Sequence, residues 1–312
     1  MPTASTFDRR AAGGKILIGY VATDYGQDAL KLGIALARER NVSLEIVMVA
    51  PRNNTTPGIY PHDRGYDSIL EEQIAAWLTE ALALVPEGME ATARIVPGDS
   101  EAAALNETAE ELGCDMIVVG GRPGGMLRRF TMGTAVNSLL HSGSVPIALA
   151  PRGYSFPGPI TRLTAMFGPK PGTSDVIAIA LDRARRREVP LRLISLVIKG
   201  ETDSPALGGD VITAISHYAN RILATIAKDM LSAGHATTLV TSGDTVEDAV
   251  KEIEWDEGEI VVVGSSRLAA AGRLFIGGTA SRMLRAIPVP MLIVPAGYMR
   301  AEGGDSDAAE KA

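Results

Sequence analysis

The segment from Gly120 to Val136, GGRPGGMLRRFTMGTAV, holds the residue types and spacing in this chain best suited to chemistry. It leaves an apolar run, passes through a glycine-rich loop and enters a helical pattern at Gly133-Thr134. Glycine lets a backbone come close to a ligand. A helix start offers unpaired N–H groups and a partial positive charge, an arrangement that binds phosphate. Thr134 is placed to cap that helix or to donate to a phosphate oxygen, and Arg122, Arg128 and Arg129 add positive charge. A second segment, GSSRLAAAGRLFIGGTAS from Gly264 to Ser281, repeats the layout with Arg267 and Arg273. Neither is a Walker loop, since no Gly-Lys-Ser/Thr occurs, and no Gly-x-Gly-x-x-Gly opens the first helix. Many α/β folds need a glycine-rich turn without any ligand, so spacing alone leaves phosphate binding and plain turn-making both open.

Other reactive residue types are scattered. His62, His141, His217 and His235 show no metal-ligand spacing, and the reading is no structural metal. No Gly-x-Ser-x-Gly elbow marks a hydrolase. Asp99 and Asp244 each follow a glycine at a strand end. They read first as N-caps of the next helix and second as general bases. Cys114 precedes an apolar strand and reads as a small hydrophobe; as the only cysteine it can form no intrachain disulfide. With no poised base and no pair of carboxylates for a divalent metal, the expectation is a protein that is not an enzyme, any phosphate hydrolysis being slow or incidental.

The elements that must position these residues follow from periodicity. Runs at 15–21, 43–49, 93–96, 116–119 and 147–150 read as strands, and stretches at 28–40, 68–84, 100–111 and 134–141 as helices, with a long loop over 53–66. Strands alternating with helices imply βαβ units and a parallel sheet. In such open sheets ligands bind beyond the carboxyl ends of the strands. Residues 19–23, 98–99 and the loop after Gly120 fall there.

The pattern occurs twice. ARIVPGDSEAAALNETAEELGCDMIVVGGR (93–122) and TTLVTSGDTVEDAVKEIEWDEGEIVVVGSSR (237–267) share a Gly-Asp pair, a short helix and an apolar strand ending in glycine. Val145-Pro146 answers Val289-Pro290, and Gly153-Tyr154 answers Gly297-Tyr298, at an offset of about 144–145 residues. Such a constant register points to duplication. The expected units are 13–152 and 160–299, joined by a Pro/Gly linker and followed by an acidic tail. The fold class expected is two tandem open-sheet, Rossmann-like α/β domains, each a mainly parallel five-stranded sheet with helices on both faces.

Composition limits the partners. The 312 residues carry a formal net charge of −7, which argues against nucleic acid, whose binding needs concentrated Lys and Arg. No apolar stretch reaches the ~18–20 residues of a membrane helix. No apolar signal segment opens the chain, and the reading is a cytoplasmic protein without nucleic-acid or membrane partners.

The glycine loops together resemble the universal stress protein motif, Gly-x-x-Gly, nine residues, then Gly-Ser/Thr, and the resemblance covers both units. Gly120 takes the first glycine and Gly133-Thr134 the final pair. Pro123 replaces the second glycine and lacks an N–H, with Gly124 directly behind it. In the second unit Arg267 stands there, and the approach to Gly278-Thr279 is one residue longer. The resemblance implies that the motif holds the ribose and phosphates of ATP, with Mg²⁺. It assigns the contacts to Tyr20, Val21, Val49, Gly120, Arg122, Gly133, Thr134 and Ala135 in the first unit, and to Gly264, Ser265, Arg267, Gly278 and Thr279 in the second. The family's adenine-contacting Asp at the end of the first strand is replaced by Val21, with Asp24 three residues on, and the second unit has none in register. Val21 and Val49 also read as plain core. The expected function is a non-catalytic, adenine-nucleotide-binding stress-response protein. The alternative is a degenerate, nucleotide-independent scaffold. The family's habit of pairing last strands implies an intramolecular pseudo-dimer through 147–150 and 291–294, with a homodimer as a further step.

Overall fold

The computed structural model describes residues 14–38, 42–51, 64–121, 133–155, 158–168, 173–198, 211–266, 269 and 273–298. The continuous apolar runs become strands buried on both faces: β1 (Lys15–Gly19), β2 (Ser43–Ala50), β4 (Met116–Gly120) and β5 (Ile147–Ala150). β3 (Ala91–Pro97) alternates in burial, as an outer strand does. The second half repeats the series as β6 (Arg162–Met166), β7 (Leu191–Ile198), β8 (Ala236–Gly243), β9 (Glu259–Gly264) and β10 (Met291–Val294). The order across the sheet is β3-β2-β1-β4-β5-β10-β9-β6-β7-β8. The two five-stranded halves therefore form one ten-stranded sheet, parallel throughout except where β5 meets β10.

That seam has a local two-fold register. Ile147 lies opposite Ile293, Ala148 opposite Leu292 and Leu149 opposite Met291. These last strands would otherwise be apolar sheet edges open to association. The pairing implied by the family resemblance covers both.

Helices lie on both faces. α1 (Asp24–Arg38), α2 (Arg64–Ala83), α5 (Thr173–Arg187), α6 (Val211–Ile226) and α7 (Lys228–Ser232) bury residues such as Leu30, Leu78, Ile177, Leu223 and Met230 in one core. α3 (Glu101–Leu112), α4 (Thr134–Ser142), α8 (Val246–Lys251) and α9 (Gly278–Ala286) bury Leu105, Leu139, Val250 and Leu284 in the other. α1 starts four residues before the expected Asp28. Gly26 donates its N–H to the Thr23 hydroxyl (3.4 Å), and Asp24 in the first turn complements the helix dipole. Asp28 is thus an interior helix residue. It is 3 % exposed and accepts the Gly153 N–H at 2.8 Å, which ties the start of the inter-unit linker to α1. α2 likewise begins at Arg64, inside the stretch read as loop, while the rest of that loop lies mostly outside the described residues.

Charges buried in the sheet sit near the amino ends of the strands, away from the motif loops. Glu45 on β2, 4 % exposed, accepts hydrogen bonds from Thr92 and Arg94 of β3 and faces the Lys15 ammonium at 3.4 Å. Burial alone would raise its pKa, yet those hydrogen bonds and the charges of Arg94 and Lys15 hold it below the ordinary 4.5. A carboxylate depressed by folding adds stability above its unfolded pKa, and that stability is lost as pH falls through the folded value. Glu45→Gln is therefore expected to cost about 2 kcal/mol near neutral pH, the worth of hydrogen bonds to a charged acceptor. The gap to wild type should close as pH drops below 4.5. Urea midpoints of both proteins between neutral and acid pH test this, and a gap independent of pH would contradict it.

Candidate functional site

In each half the strand order reverses beside the first strand, where β1 lies between β2 and β4, and β6 between β7 and β9. Ligands of open α/β sheets bind beyond the carboxyl ends at such switch points. Tyr20, Val21 and Gly120 sit at that place in the first half. Tyr20 is 5 % exposed, its N–H bonded to the Val47 carbonyl at 2.9 Å. Burial and the nearby Glu80 carboxylate raise its pKa, so it stays a neutral phenol. Val21 and Val49 are half-buried. Val49 packs against the α3/α4 core, in keeping with its structural reading.

Gly120 ends β4 against the backbone of α1. A Cβ built there would overlap the Tyr25 carbonyl oxygen. Gly264 answers it in the second half, where a Cβ would overlap the Val176 side chain on α5. Both glycines are therefore required for packing the first helix of their half onto the sheet, whatever they do for a ligand. Likewise Gly26 leaves room for the Val21 carbonyl, which closes the turn after β1 tightly.

The helices after the motif loops start on glycine. Gly133 is the N-cap of α4 and Gly277 that of α9, and neither helix has a side-chain cap. Thr134 does not cap α4. It is the first helical residue and exposed, with Ala135 half-buried behind it. The other helices on this face do carry side-chain caps: Ser100 accepts the Ala103 N–H at 3.4 Å for α3, and Thr245 the Asp248 N–H at 3.1 Å for α8. The caps thus lie one residue beyond Asp99 and Asp244, because the hydroxyl residue after each Gly-Asp pair has the extended backbone a cap needs. Asp99 and Asp244 are exposed.

The helix starts also change the correspondence between the halves. Gly277, not Gly278, stands where Gly133 stands, and the approach from Gly264 matches that from Gly120 in length. Gly278 takes the position of Thr134, so the second half lacks the hydroxyl at its first helical residue, with exposed Thr279 following. The loop there is closed upon itself. The Phe275 N–H donates to the Ser265 hydroxyl at 2.7 Å, that hydroxyl donates to the Phe275 carbonyl at 3.1 Å, and the Ser266 N–H donates to the same carbonyl at 2.7 Å. The apolar run Leu274-Phe275-Ile276 inside a glycine-rich loop was the sequence signal for this contact. Arg122 and Arg267 lie outside the described residues, as do Pro123, Gly124, Arg128 and Arg129. Among the described residues no group of three His, Cys, Asp or Glu could hold a metal ion, and no helix is long and apolar enough to cross a membrane. Cys114 is buried, its thiol pushed up to about 12 by desolvation first and the Glu45 charge second.

A groove of about 560 Å³ opens between α5 and α6, lined by Leu181, Arg185, Tyr218, Arg221 and Ile222 among others. It lies along helix flanks and not at the strand ends, so it is separate from the motif.

The family model described as the universal stress protein family matches residues 14–151 and again 164–295. The chain belongs to the universal stress protein family. Universal stress proteins of Mycobacterium tuberculosis and Mycobacterium bovis are each 29% identical to it over 289 residues, covering 90% of this chain and 99% of the relative. The crystal structure of a universal stress protein from Archaeoglobus fulgidus superposes with a TM-score of 0.65 at 14% identity, covering 92% of this chain and 100% of that one. A putative universal stress protein from Pseudomonas aeruginosa gives 0.54 at 16% identity, covering 95% of this chain and 98% of that one. These structures support the tandem fold of this universal stress protein, two Rossmann-like halves in one sheet.

Proposed function

We propose that this universal stress protein is a non-catalytic, nucleotide-responsive regulator built from two units, 13–152 and 160–299, that binds ATP at the first. The observation carrying this reading is the uncapped start of α4 at Gly133. Among the described residues no side chain caps its first N–H groups, which lie at the end of the sheet where ligands of this architecture bind. Neighbouring α3 has its cap in place. Free N–H groups at a helix start favour a phosphate. The exposed Thr134 hydroxyl adds a donor at the first helical position, where the second half has Gly278. The reading gives the second unit a structural role, because the Ser265 hydroxyl is already engaged by Phe275. Mg²⁺ would arrive with the nucleotide phosphates, as no described carboxylate cluster supplies a site for it.

The test is calorimetric titration of nucleotide-stripped protein with ATP and Mg²⁺. One ATP per chain is expected, with binding abolished in Gly133→Trp, which puts a ring over the helix start. Gly120 variants are unsuitable here because they disturb the packing of α1. Two ATP per chain would overturn the structural role of the second unit, and no heat at millimolar ATP would overturn the nucleotide reading altogether.

A further inference from the structure

The second half's motif loop does not end its contacts at its own strand. Residues 273–276 cross the seam and hold the C-terminal end of α4, the helix whose N-terminal end is the candidate phosphate site. The Arg273 guanidinium donates to the Ser142 carbonyl at 3.1 Å, and the Leu274 N–H donates to the Gly143 carbonyl at 2.9 Å. These are among the carbonyls a helix leaves unpaired at its end. The Leu274 side chain, 1 % exposed, fills the space beside Gly143, where a Cβ would come within 2.9 Å of it. Phe275 meets the His141 ring edge-on, with centroids 5.0 Å apart.

α4 has nine residues. A helix this short is not stable alone, and its order comes from tertiary contacts. Its buried side chains Val136, Leu139 and Leu140 hold one flank. Its exit is held by the other half. A guanidinium at a helix C-terminus also complements the negative end of the dipole. We propose that residues 273–276 are a positioning element for the first half's phosphate site: by clasping the end of α4 they set how firmly its N-terminal N–H groups are presented to a ligand. The consequence for nucleotide affinity rests on the function proposed above. Ser265 anchors the clasp through its two hydrogen bonds to Phe275, so a ligand competing for that hydroxyl would loosen the first site. Arg273 is in this sense a positioning residue that touches no nucleotide.

Two variants separate the possibilities. Arg273 is exposed, so Arg273→Ala leaves the core intact, whereas Leu274→Ala removes the buried part of the clasp. Backbone hydrogen exchange of nucleotide-free protein should show faster exchange across 136–143 in both variants, with β1 and β4 unchanged. ATP affinity should fall about five- to tenfold in Arg273→Ala, a typical coupling between separated sites, and recover in Arg273→Lys. Unchanged exchange in α4 in both variants would overturn the clasp. Faster exchange with unaltered ATP affinity would overturn its positioning role. A wild-type protein that binds no ATP would remove the nucleotide reading instead, and the exchange arm would still decide whether the clasp exists.

Discussion

Glu259→Ala is expected to lower the unfolding free energy by about 3–5 kcal/mol, the cost of leaving a buried ion pair without one partner. Glu259 opens β9 and is 0 % exposed. Its carboxylate takes the Arg162 guanidinium at 2.6 Å on one oxygen and the Arg192 guanidinium at 2.6 Å on the other. The Thr164 hydroxyl and the Asp256 N–H complete the set. Arg192 is itself buried, bonded to the Glu254 carbonyl at 3.1 Å and stacked near the Trp255 ring. Arg162 is more exposed and can turn to water, whereas Arg192 cannot. Removing the carboxylate therefore strands mainly Arg192. Replacing Glu259 and Arg192 together by apolar residues should cost less than Glu259→Ala alone, since a well-packed apolar pair can match a buried ion pair. Urea unfolding of the three proteins decides this. A loss below about 1 kcal/mol in Glu259→Ala, typical of an exposed pair, would mean that water reaches the cluster.

Gly120→Ala should cost about 3 kcal/mol or more, at the upper end of what an added methyl costs in a packed interior. The methyl would meet the Tyr25 carbonyl oxygen, which is backbone and cannot rotate aside. Either α1 lifts from β4 or its first turn unwinds. Both outcomes spread beyond the motif, so exchange protection should fall in α1 as well as near Gly120. At the matching position the obstacle is the Val176 side chain and not backbone, so α5 can yield by a smaller shift and Gly264→Ala should cost less. Thermal or urea midpoints of the two variants provide the comparison, and equal losses would count against this account of the asymmetry. Lost ATP binding in Gly120→Ala would accordingly report on fold and not on phosphate contact.

Much of this was legible in the chain. β5 matched the expected 147–150, and β2 and α4 came within one residue of their expected ends, because apolar runs and 3.6-residue periodicity are local signals. The misplaced features depended on alternatives that are equal locally. Asp99 and Ser100 are both good cap residues, and backbone geometry chose Ser100. Gly277 and Gly278 are identical side chains, and only the helix start separated them. The apolar spacing from Leu30 onward placed the helix start at Asp28, yet Asp28 lies inside α1, where it accepts the Gly153 N–H.

The sequence by itself determined the duplication, the strand–helix alternation and the Rossmann-like α/β fold class, since each is a pattern repeated along the chain. Only the tertiary structure decided what the glycines are for. Gly120 and Gly264 are demanded by helices that approach from earlier in the chain, and Gly143 by the Leu139 carbonyl of its own helix together with Leu274 from the other half. It also decided that the two motif loops differ in role. Ser265 is engaged by Phe275 ten residues later, and Arg273 by Ser142 across the seam. The apolar run 274–276 hints at the first of these contacts, but the second joins residues 131 apart in sequence, and no local propensity or spacing records it.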